Sequence, residues 1–348
     1  MSQNQEPEKH RRTPRRRWTI WHKAGAALAA LVIASAALWF IPTGYTAYAP
    51  GITGYLPSMV RVRGAHPSPR GRLLMVAIYV VPANALLYLW AHLSDTYQLV
   101  PTAAVLPDMS MAQFVKVSLA QMRGSQEDAE VAGERAAGLP ARVSVKPGLL
   151  VLGVLKNSSA RRILTAGSTI LKVNGHAVTL ASEPRLMRRY HVGERVSVEA
   201  RVSGRLKTFP VTLMHIAGDP SPAIGVEVTT PVRYIIPRPV TFSVHNIGGP
   251  SAGMMFSLEI YEQITGKNLA RGRVVAGTGE ITPTGQVLPI GGIAEKVITV
   301  HRAGATVFLC PQANYAKAVA TARAHGYHLT IFPVTSLHQA IADLSRPS

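Results

Sequence analysis

Residues 245–253 read HNIGGPSAG, and residues 291–296 read GGIAEK. The first string is a glycine-rich turn that brings Ser251 to the start of a predicted helix, for which Gly266 provides a C-terminal stop. The first backbone N–H groups of a helix have no intrahelical partner, and the helix dipole is positive at that end. Ser251 is therefore predicted to lie where a developing oxyanion can be stabilised.

The second string opens a predicted helix over residues 293–302 and places Lys296 on its apolar face. Ile293 lies three residues before the lysine and Val300 four residues after it, so the amine is predicted to point inward. Burial penalises the charged form, which lowers the pKa of a lysine and lets it accept a proton from a serine. The two strings together predict Ser251 as a nucleophile and Lys296 as its base. Taken singly, the two residues also fit a helix cap and a lysine at a helix edge.

Five motifs, in order, resemble the proteolytic domain of Lon proteases. They are GPSAG at 249–253, AGTGEI at 276–281, GQVLPIGG at 285–292, EK at 295–296 and RAGA at 302–305. The resemblance extends from Ile224 to the C-terminus. It implies that Ser251 is the nucleophile, that Lys296 is its general base and that Thr278 lies beside this dyad. Four supporting residues frame the serine: Gly249, Pro250, Ala252 and Gly253.

The segment at 244–249 lacks the acidic residue of many ATP-dependent Lon enzymes, and the sequence has no Gly-x4-Gly-Lys-Ser/Thr phosphate loop. The chain looks closer to bacterial membrane-anchored proteins that join a PDZ domain to a Lon-type domain. ATP-driven unfolding is therefore not expected of it. Strand-like and helix-like segments alternate after Ile224, which predicts an α+β layout for the C-terminal domain.

Residues 140–214 change to short strands and turns that resemble a PDZ domain, chiefly in the Val-Asn-Gly turn at 173–175 and in the order of elements. Ser168 stands where that family has an aspartate, and residues 146–150 represent its carboxylate-binding loop only loosely. PDZ domains bind extended peptides by adding a strand to a sheet edge, so this domain is predicted to recruit substrates. A structural spacer is the other interpretation.

The length and net charge of the chain limit the number of domains and the kinds of partner that it can have. The chain has 348 residues, with 37 Lys and Arg against 18 Asp and Glu, and a formal net charge of +19. This length allows two or three compact units. The charge suits either nucleic acid or an anionic membrane. We favour the membrane, because the basic residues are concentrated at the N-terminus and no nucleic-acid motif organises the others.

Cysteine and histidine usage argues against metal and disulfide chemistry. The single cysteine, Cys310, excludes an internal disulfide and a cysteine-rich metal site, and its apolar surroundings predict a buried strand. The 12 histidines show no metal-ligand spacing with acidic partners. No metal and no cofactor are therefore expected.

The N-terminus has the pattern of a membrane anchor. Residues 1–23 contain seven Lys or Arg, and residues 24–41 contain no charged residue. At 1.5 Å per residue the apolar segment reaches roughly 27 Å, close to the hydrocarbon thickness of a bilayer. Four aromatic residues are placed as interfacial anchors: Trp18, Trp21, Trp39 and Tyr45.

Residues 42–60 also lack charge, so the positive-inside rule predicts a cytoplasmic N-terminus and a catalytic domain outside the cytoplasm. A signal peptide cleaved after Ala49 is the alternative. Against it, the apolar run is long for a signal peptide, and Pro50 is a poor residue after a scissile bond.

A second apolar segment covers residues 73–93. Pro82 and Asn84 interrupt it, its first half is rich in β-formers and its second half suits a short helix, so it is predicted not to span the membrane. A helix is predicted over 113–134. The predicted division is a basic cytoplasmic tail (1–23), a transmembrane helix (24–41), a membrane-proximal region (42–138), a PDZ-like domain (139–220) and a Lon-type proteolytic domain (221–348).

The sequence thus predicts a multidomain α+β protein with an N-terminal transmembrane helix, a PDZ-like β domain and a C-terminal Lon-protease-like α+β domain. Its predicted function is that of a membrane-anchored, ATP-independent serine endopeptidase whose PDZ-like domain recruits unfolded or flexible proteins. The alternative is a membrane protein that binds or senses peptides without cutting them. Expected partners are protein or peptide substrates and the lipid bilayer, with no nucleic acid; a homo-oligomer is left open.

Overall fold

The computed structural model describes residues 20–66, 71–106, 109–216 and 219–346. Most of the predicted basic tail, with Trp18, lies outside these residues. The helices are α1 (Ile20–Trp39), α2 (Leu56–Met59), α3 (Ala85–Leu93), α4 (Thr102–Val105), α5 (Met111–Ala136), α6 (Glu183–Met187), α7 (Gly253–Thr265), α8 (Ile293–Arg302), α9 (Tyr315–Ala324) and α10 (Leu337–Ser345).

The strands follow in chain order. They are β1 (Pro42–Tyr55), β2 (Val60–Val62), β3 (Arg72–Asn84), β4 (Gln98–Pro101), β5 (Arg142–Val145), β6 (Leu149–Val154), β7 (Thr169–Val173), β8 (His176–Ala177), β9 (Arg195–Val202), β10 (Arg205–Thr212), β11 (Met214–Ile216), β12 (Asp219–Ala223), β13 (Val226–Thr229), β14 (Val232–Ile235), β15 (Val240–Phe242), β16 (Val274–Gly277), β17 (Glu280–Ile281), β18 (Val287–Leu288), β19 (Val307–Pro311) and β20 (Thr330–Val334).

A six-stranded sheet in the order β20-β19-β16-β3-β1-β4 forms the centre of the main folded body. The strands from β20 to β3 run parallel, and β1 and β4 add antiparallel pairs. Helices cover the sheet on both faces. Successive side chains of a strand point to opposite sides, so each strand contributes to two cores. On β3, Leu73 and Met75 join the core with α7, whereas Leu74 and Val76 join the core with α8.

This sheet corrects the predicted boundary between the membrane-proximal region and the proteolytic domain. Strand β3 pairs with β16 over residues 72–75, and α5 packs against α7, so residues 42–136 supply part of the same body as the C-terminal segment. The apolar sequence of β3 reflects burial between two helical layers rather than proximity to lipid. The predicted strand and short helix within residues 73–93 are confirmed as β3 and α3.

The PDZ-like domain (residues 149–229) has its own sheet, in the order β10-β9-β7-β6-β13, and its own apolar core. The predicted boundary at residue 220 is wrong, because β13 pairs with β6 and Ile224 is buried in this core. The segment at 146–150, which represents the carboxylate-binding loop of PDZ domains only loosely, does not lie at an outer edge of this sheet. It leads into β6, which has neighbours on both sides, so the outer strands of this sheet are β10 and β13.

The PDZ-like domain is inserted through two adjacent strands. Strand β5 enters it and β14 leaves it, and the two form an antiparallel pair in which Val145 lies opposite Val232. The Lys146 N–H donates to the Pro231 carbonyl at 2.8 Å. The chain therefore enters and leaves the domain at neighbouring points.

Helix α1 projects from this arrangement. Its residues from Trp21 to Trp39 are long and apolar enough to cross a membrane, and they are not buried by the rest of the chain. A signal sequence would pass the same test of length and composition. The helix was predicted over 24–41, and the structure starts and ends it a few residues earlier.

Candidate active site

A tight turn before α7 positions Ser251. The helix begins at Gly253 rather than at the serine, so the predicted location of Ser251 is shifted into the turn that precedes the helix. The Gly249 N–H donates to the Ser118 carbonyl at 2.7 Å, and Ser125 Oγ donates to the Pro250 carbonyl at 2.8 Å. Helix α5 therefore holds the turn on both sides of the proline.

Gly253 is required by the close approach of its neighbours. A Cβ at this position would lie 2.6 Å from Ser125 Oγ and 2.7 Å from Ile281 Cγ2. Such distances are shorter than any ordinary van der Waals contact, so a larger residue forces the serine turn to move. This is the physical reason for the glycine at the end of the GPSAG motif.

Lys296 approaches Ser251 from the other face of the sheet. Ser251 precedes α7 and Lys296 lies on α8, and the two helices cover opposite faces. They meet where β16 ends, because Thr278 directly follows the last residue of that strand. The Lys296 Nζ lies 2.8 Å from Ser251 Oγ and 2.7 Å from Thr278 Oγ1.

Burial sets the charge state of Lys296. Its relative exposure is 2%, and desolvation lowers its pKa to about 7. Among the described residues no carboxylate lies within ion-pair distance of its amine, so no ion pair offsets the cost of burying the ammonium form. A substantial neutral fraction is therefore present near pH 7.

Thr278 orients the lysine. Its hydroxyl donates to the Ser251 carbonyl at 3.0 Å, which commits its one proton, so it can only accept from the amine. A neutral Lys296 that donates to Thr278 keeps its lone pair free for the Ser251 hydroxyl. The threonine thus favours the direction of hydrogen bonding that proton transfer from serine requires.

Two backbone donors are free at the serine turn. Within the described chain the N–H groups of Ser251 and Ala252 have no hydrogen-bond partner, whereas the N–H groups of Gly253 and Met254 are paired with carbonyls. The free donors lie at the positive end of α7. They can stabilise a negative charge that develops next to Ser251 Oγ.

A cleft of about 560 Å³ opens onto the serine and the lysine. Its walls are residues 75–80 of β3, the first half of α5, the loop at 246–252 and residues 289–291. Strand β16 covers one edge of β3 only over residues 72–75. In the described structure the continuation of that edge, residues 76–80, therefore lines the cleft without a neighbouring strand.

The structure brings together the three polar side chains singled out from the sequence, and two further serines that hold the turn were not predicted. Ser251, Lys296 and Thr278 meet within hydrogen-bond distance, and Gly249 to Gly253 surround them. Ser118 and Ser125 were not anticipated. They lie seven residues apart in the predicted helix over 113–134, so their common face was the one available signal.

Comparison with known proteins places the C-terminal part of the chain. Residues 245–344 match the family model described as the Lon protease (S16) C-terminal proteolytic domain. Lon protease 1 of Syntrophotalea carbinolica is 47% identical over 66 residues, which are 19% of this chain and 8% of that protein. Lon protease 1 of Bacillus subtilis is 40% identical over 91 residues, which are 26% of this chain and 12% of that protein.

The chain therefore spans about a tenth of the length of the curated relatives that it matches. Among solved structures, the PDZ domain of the SdrC-like protein from Listeria monocytogenes is similar at 22% identity with a TM-score of 0.23, covering 24% of this chain and 90% of that one. The family match includes Ser251, Thr278 and Lys296. The C-terminal part of this chain is a proteolytic domain of the Lon serine peptidase type.

Proposed function

We propose that this protein is a membrane-anchored, ATP-independent serine endopeptidase that acts on unfolded or flexible segments. The observation that carries the proposal is the buried Lys296 amine, with its pKa lowered to about 7, at 2.8 Å from Ser251 Oγ. A serine hydroxyl is a weak nucleophile until a base takes its proton. A neutral amine at hydrogen-bond distance supplies that base.

In the proposed mechanism Ser251 Oγ attacks the scissile carbonyl while Lys296 Nζ takes the hydroxyl proton. The negative charge on the carbonyl oxygen is stabilised by the free N–H groups of Ser251 and Ala252. The Lys296 ammonium then protonates the leaving amine, and an acyl group remains on Ser251. In the second half, Lys296 takes a proton from water, which hydrolyses the acyl-enzyme, and returns it to Ser251 Oγ.

The substrate is proposed to bind in an extended conformation. The unpaired edge of β3 at residues 76–80 lines the cleft beside Ser251 and offers backbone donors and acceptors to another strand. A folded protein has few segments free to add a strand in this way. Because the chain has no phosphate loop for an unfolding motor, flexible segments are the substrates that suit this cleft.

Cleavage of a short peptide is expected to rise with pH through an apparent pKa of about 7. The base must be neutral to act, so the neutral fraction of Lys296, and with it kcat/KM, falls about tenfold for each pH unit below that value. Steady-state cleavage of a fluorogenic peptide from pH 5 to 9 gives the profile. A rate that is flat between pH 5.5 and 8.5 in folded protein would exclude Lys296 as the base.

The PDZ-like domain is proposed to deliver protein substrates to the cleft. Because β5 and β14 lie side by side, residues 147–230 can be replaced by an Asn-Gly turn that joins Lys146 to Pro231. We expect this deletion to lower cleavage of an unfolded protein by about tenfold or more, since tethering raises the effective substrate concentration. Short-peptide cleavage is expected to stay within about twofold, because the cleft is unchanged.

The control for this deletion is the same pair of substrates with the intact chain. Equal loss on the protein and on the peptide would show that the domain supports the catalytic body instead of recruiting substrate. In that case the spacer interpretation would replace the proposal.

Helix α1 is proposed as an uncleaved membrane anchor. It is exposed along its length, and no charged residue occurs from residue 24 to residue 60. The basic residues before it are proposed to stay in the cytoplasm, which puts the catalytic body outside. Lipid contact removes from water the apolar surface that the rest of the chain leaves uncovered.

A further inference from the structure

Helix α3 presents an apolar stripe that the described chain leaves largely exposed. Leu89 and Trp90 lie three and four residues after Leu86 and four and three residues before Leu93, so the four side chains share one helix face. The exposed fractions are 51% for Leu89, 58% for Trp90 and 85% for Leu93. The opposite face carries Ala91, which is buried against the fold.

The stripe begins where α1 ends. The Ala85 N–H, at the first residue of α3, donates to the Ile41 carbonyl at 2.8 Å, and Pro42 lies opposite Asn84 in the β1–β3 pair. Phe40 and Ile41, between α1 and β1, are exposed as well. The apolar surface of α3 is therefore continuous with the outer end of the proposed membrane anchor.

The sequence around this surface has the charge pattern of lipid contact. No Asp, Glu, Lys or Arg occurs from residue 24 to 60 or within α3 itself, from residue 85 to 93. The stripe itself contains Trp90, whereas Tyr88, on the other side of α3, has its ring 5.1 Å from that of Tyr45 and 4.5 Å from that of His92. Aromatic rings with a polar atom are the side chains that prefer the boundary between hydrocarbon and water.

We propose that α3 lies in the outer interfacial layer of the bilayer that α1 crosses and forms a second membrane contact. This inference rests on the membrane anchoring in the proposed function. With nine residues α3 is roughly 14 Å long, too short to span the hydrocarbon core. A short helix with one apolar face lies in the plane of the interface.

The contact fixes the catalytic cleft close to the membrane. Strand β3 lines the cleft up to Val80 and reaches α3 after Asn84, so roughly 13 Å of strand separates the cleft wall from the interfacial helix. The cleft is thereby held beside segments of other membrane proteins that have just left the bilayer. Extended juxtamembrane segments are the substrate class that this placement favours.

The test uses spin labels on the full-length chain in liposomes of phosphatidylcholine and phosphatidylglycerol. A nitroxide is attached at Leu93→Cys in α3, at Ile33→Cys in α1 and at Leu206→Cys in β10, a leucine that is 57% exposed on the PDZ-like domain. The native Cys310 is fully buried and burial raises its pKa to about 12, so it stays unlabelled. Relaxation by oxygen, which concentrates in lipid, is compared with relaxation by a water-soluble nickel chelate.

We expect the ratio of oxygen to nickel relaxation at residue 93 to exceed that at residue 206 by at least severalfold. A water-like ratio at residue 93 together with a lipid-like ratio at residue 33 would overturn the interfacial contact and leave the anchor intact. A water-like ratio at both would overturn the anchor and the contact together. Protection of residue 93 from both reagents, with spin–spin broadening, would assign the stripe to a second copy of the chain instead of lipid.

Discussion

Replacing Lys296 with arginine is expected to lower kcat/KM for a short peptide by at least about 10³-fold, because guanidinium stays protonated and cannot take the serine proton. The charge is kept, so the variant separates a base from a merely positive group. The measurement is fluorogenic peptide cleavage, with far-UV circular dichroism and thermal unfolding as checks on the fold. Since a buried arginine can perturb packing, Lys296→Met provides a neutral side chain of similar length.

Ser251→Ala is expected to lose activity to the same extent, and the double variant Ser251→Ala/Lys296→Met no more than either single variant. The two residues act on one proton, so their effects do not add. A Lys296→Met variant that is folded and cleaves peptide at the wild-type rate would refute the dyad. If all variants bind peptide and the parent protein never cleaves it, the chain is instead a peptide-binding protein.

Gly253→Ala is the second substitution with a large expected effect. The added methyl meets Ser125 Oγ and Ile281 Cγ2 at less than 3 Å, so the turn that carries Ser251 must shift. A displacement of about 1 Å at a nucleophile costs on the order of 10²-fold in rate. Overpacking is expected to lower the free energy of unfolding by about 1–3 kcal/mol. The measurements are peptide cleavage and urea unfolding of the same preparation.

The matched control is Gly124→Ala, in the neighbouring helix α5. A Cβ at residue 124 meets no atom within 4 Å. Alanine is favoured over glycine in a helix by up to about 1 kcal/mol, so this variant should be as stable as the parent or more stable, with unchanged activity. If Gly253→Ala behaved like Gly124→Ala, close packing at the serine turn would not be what positions Ser251.

The helix of the lysine could be predicted from sequence because its pattern is local. Residues 293–302 carry apolar side chains at helical spacing, and the structure has α8 over the same residues. That spacing alone indicated an inward-pointing amine, and Lys296 is buried. The start of α7 was less accurate, since the sequence placed Ser251 at the N-terminus of the helix, whereas the helix begins two residues later, at Gly253.

The pairing between strands that are distant in the chain could not be predicted from the sequence. Strand β3 was recognised as a strand, but its partner β16 lies about two hundred residues later in the chain. A run of apolar residues predicts a buried strand without indicating which strand it pairs with. The region before the PDZ-like domain was therefore separated from the proteolytic domain. The same limit explains why β13 was assigned to the proteolytic domain. A strand next to a domain boundary can belong to either sheet, and only its pairing with β6 shows that it belongs to the PDZ-like domain.

The central claim is that Ser251 forms the covalent intermediate with Lys296 as its base. An activated ester of a short peptide, mixed with the intact chain and quenched at early times, allows the acyl-enzyme to be located by mass spectrometry. The account predicts an acyl group on Ser251, formed at a rate that rises with pH through about 7 and absent from Ser251→Ala. An acyl group on another residue, or ester turnover that persists unchanged in folded Ser251→Ala, would contradict it.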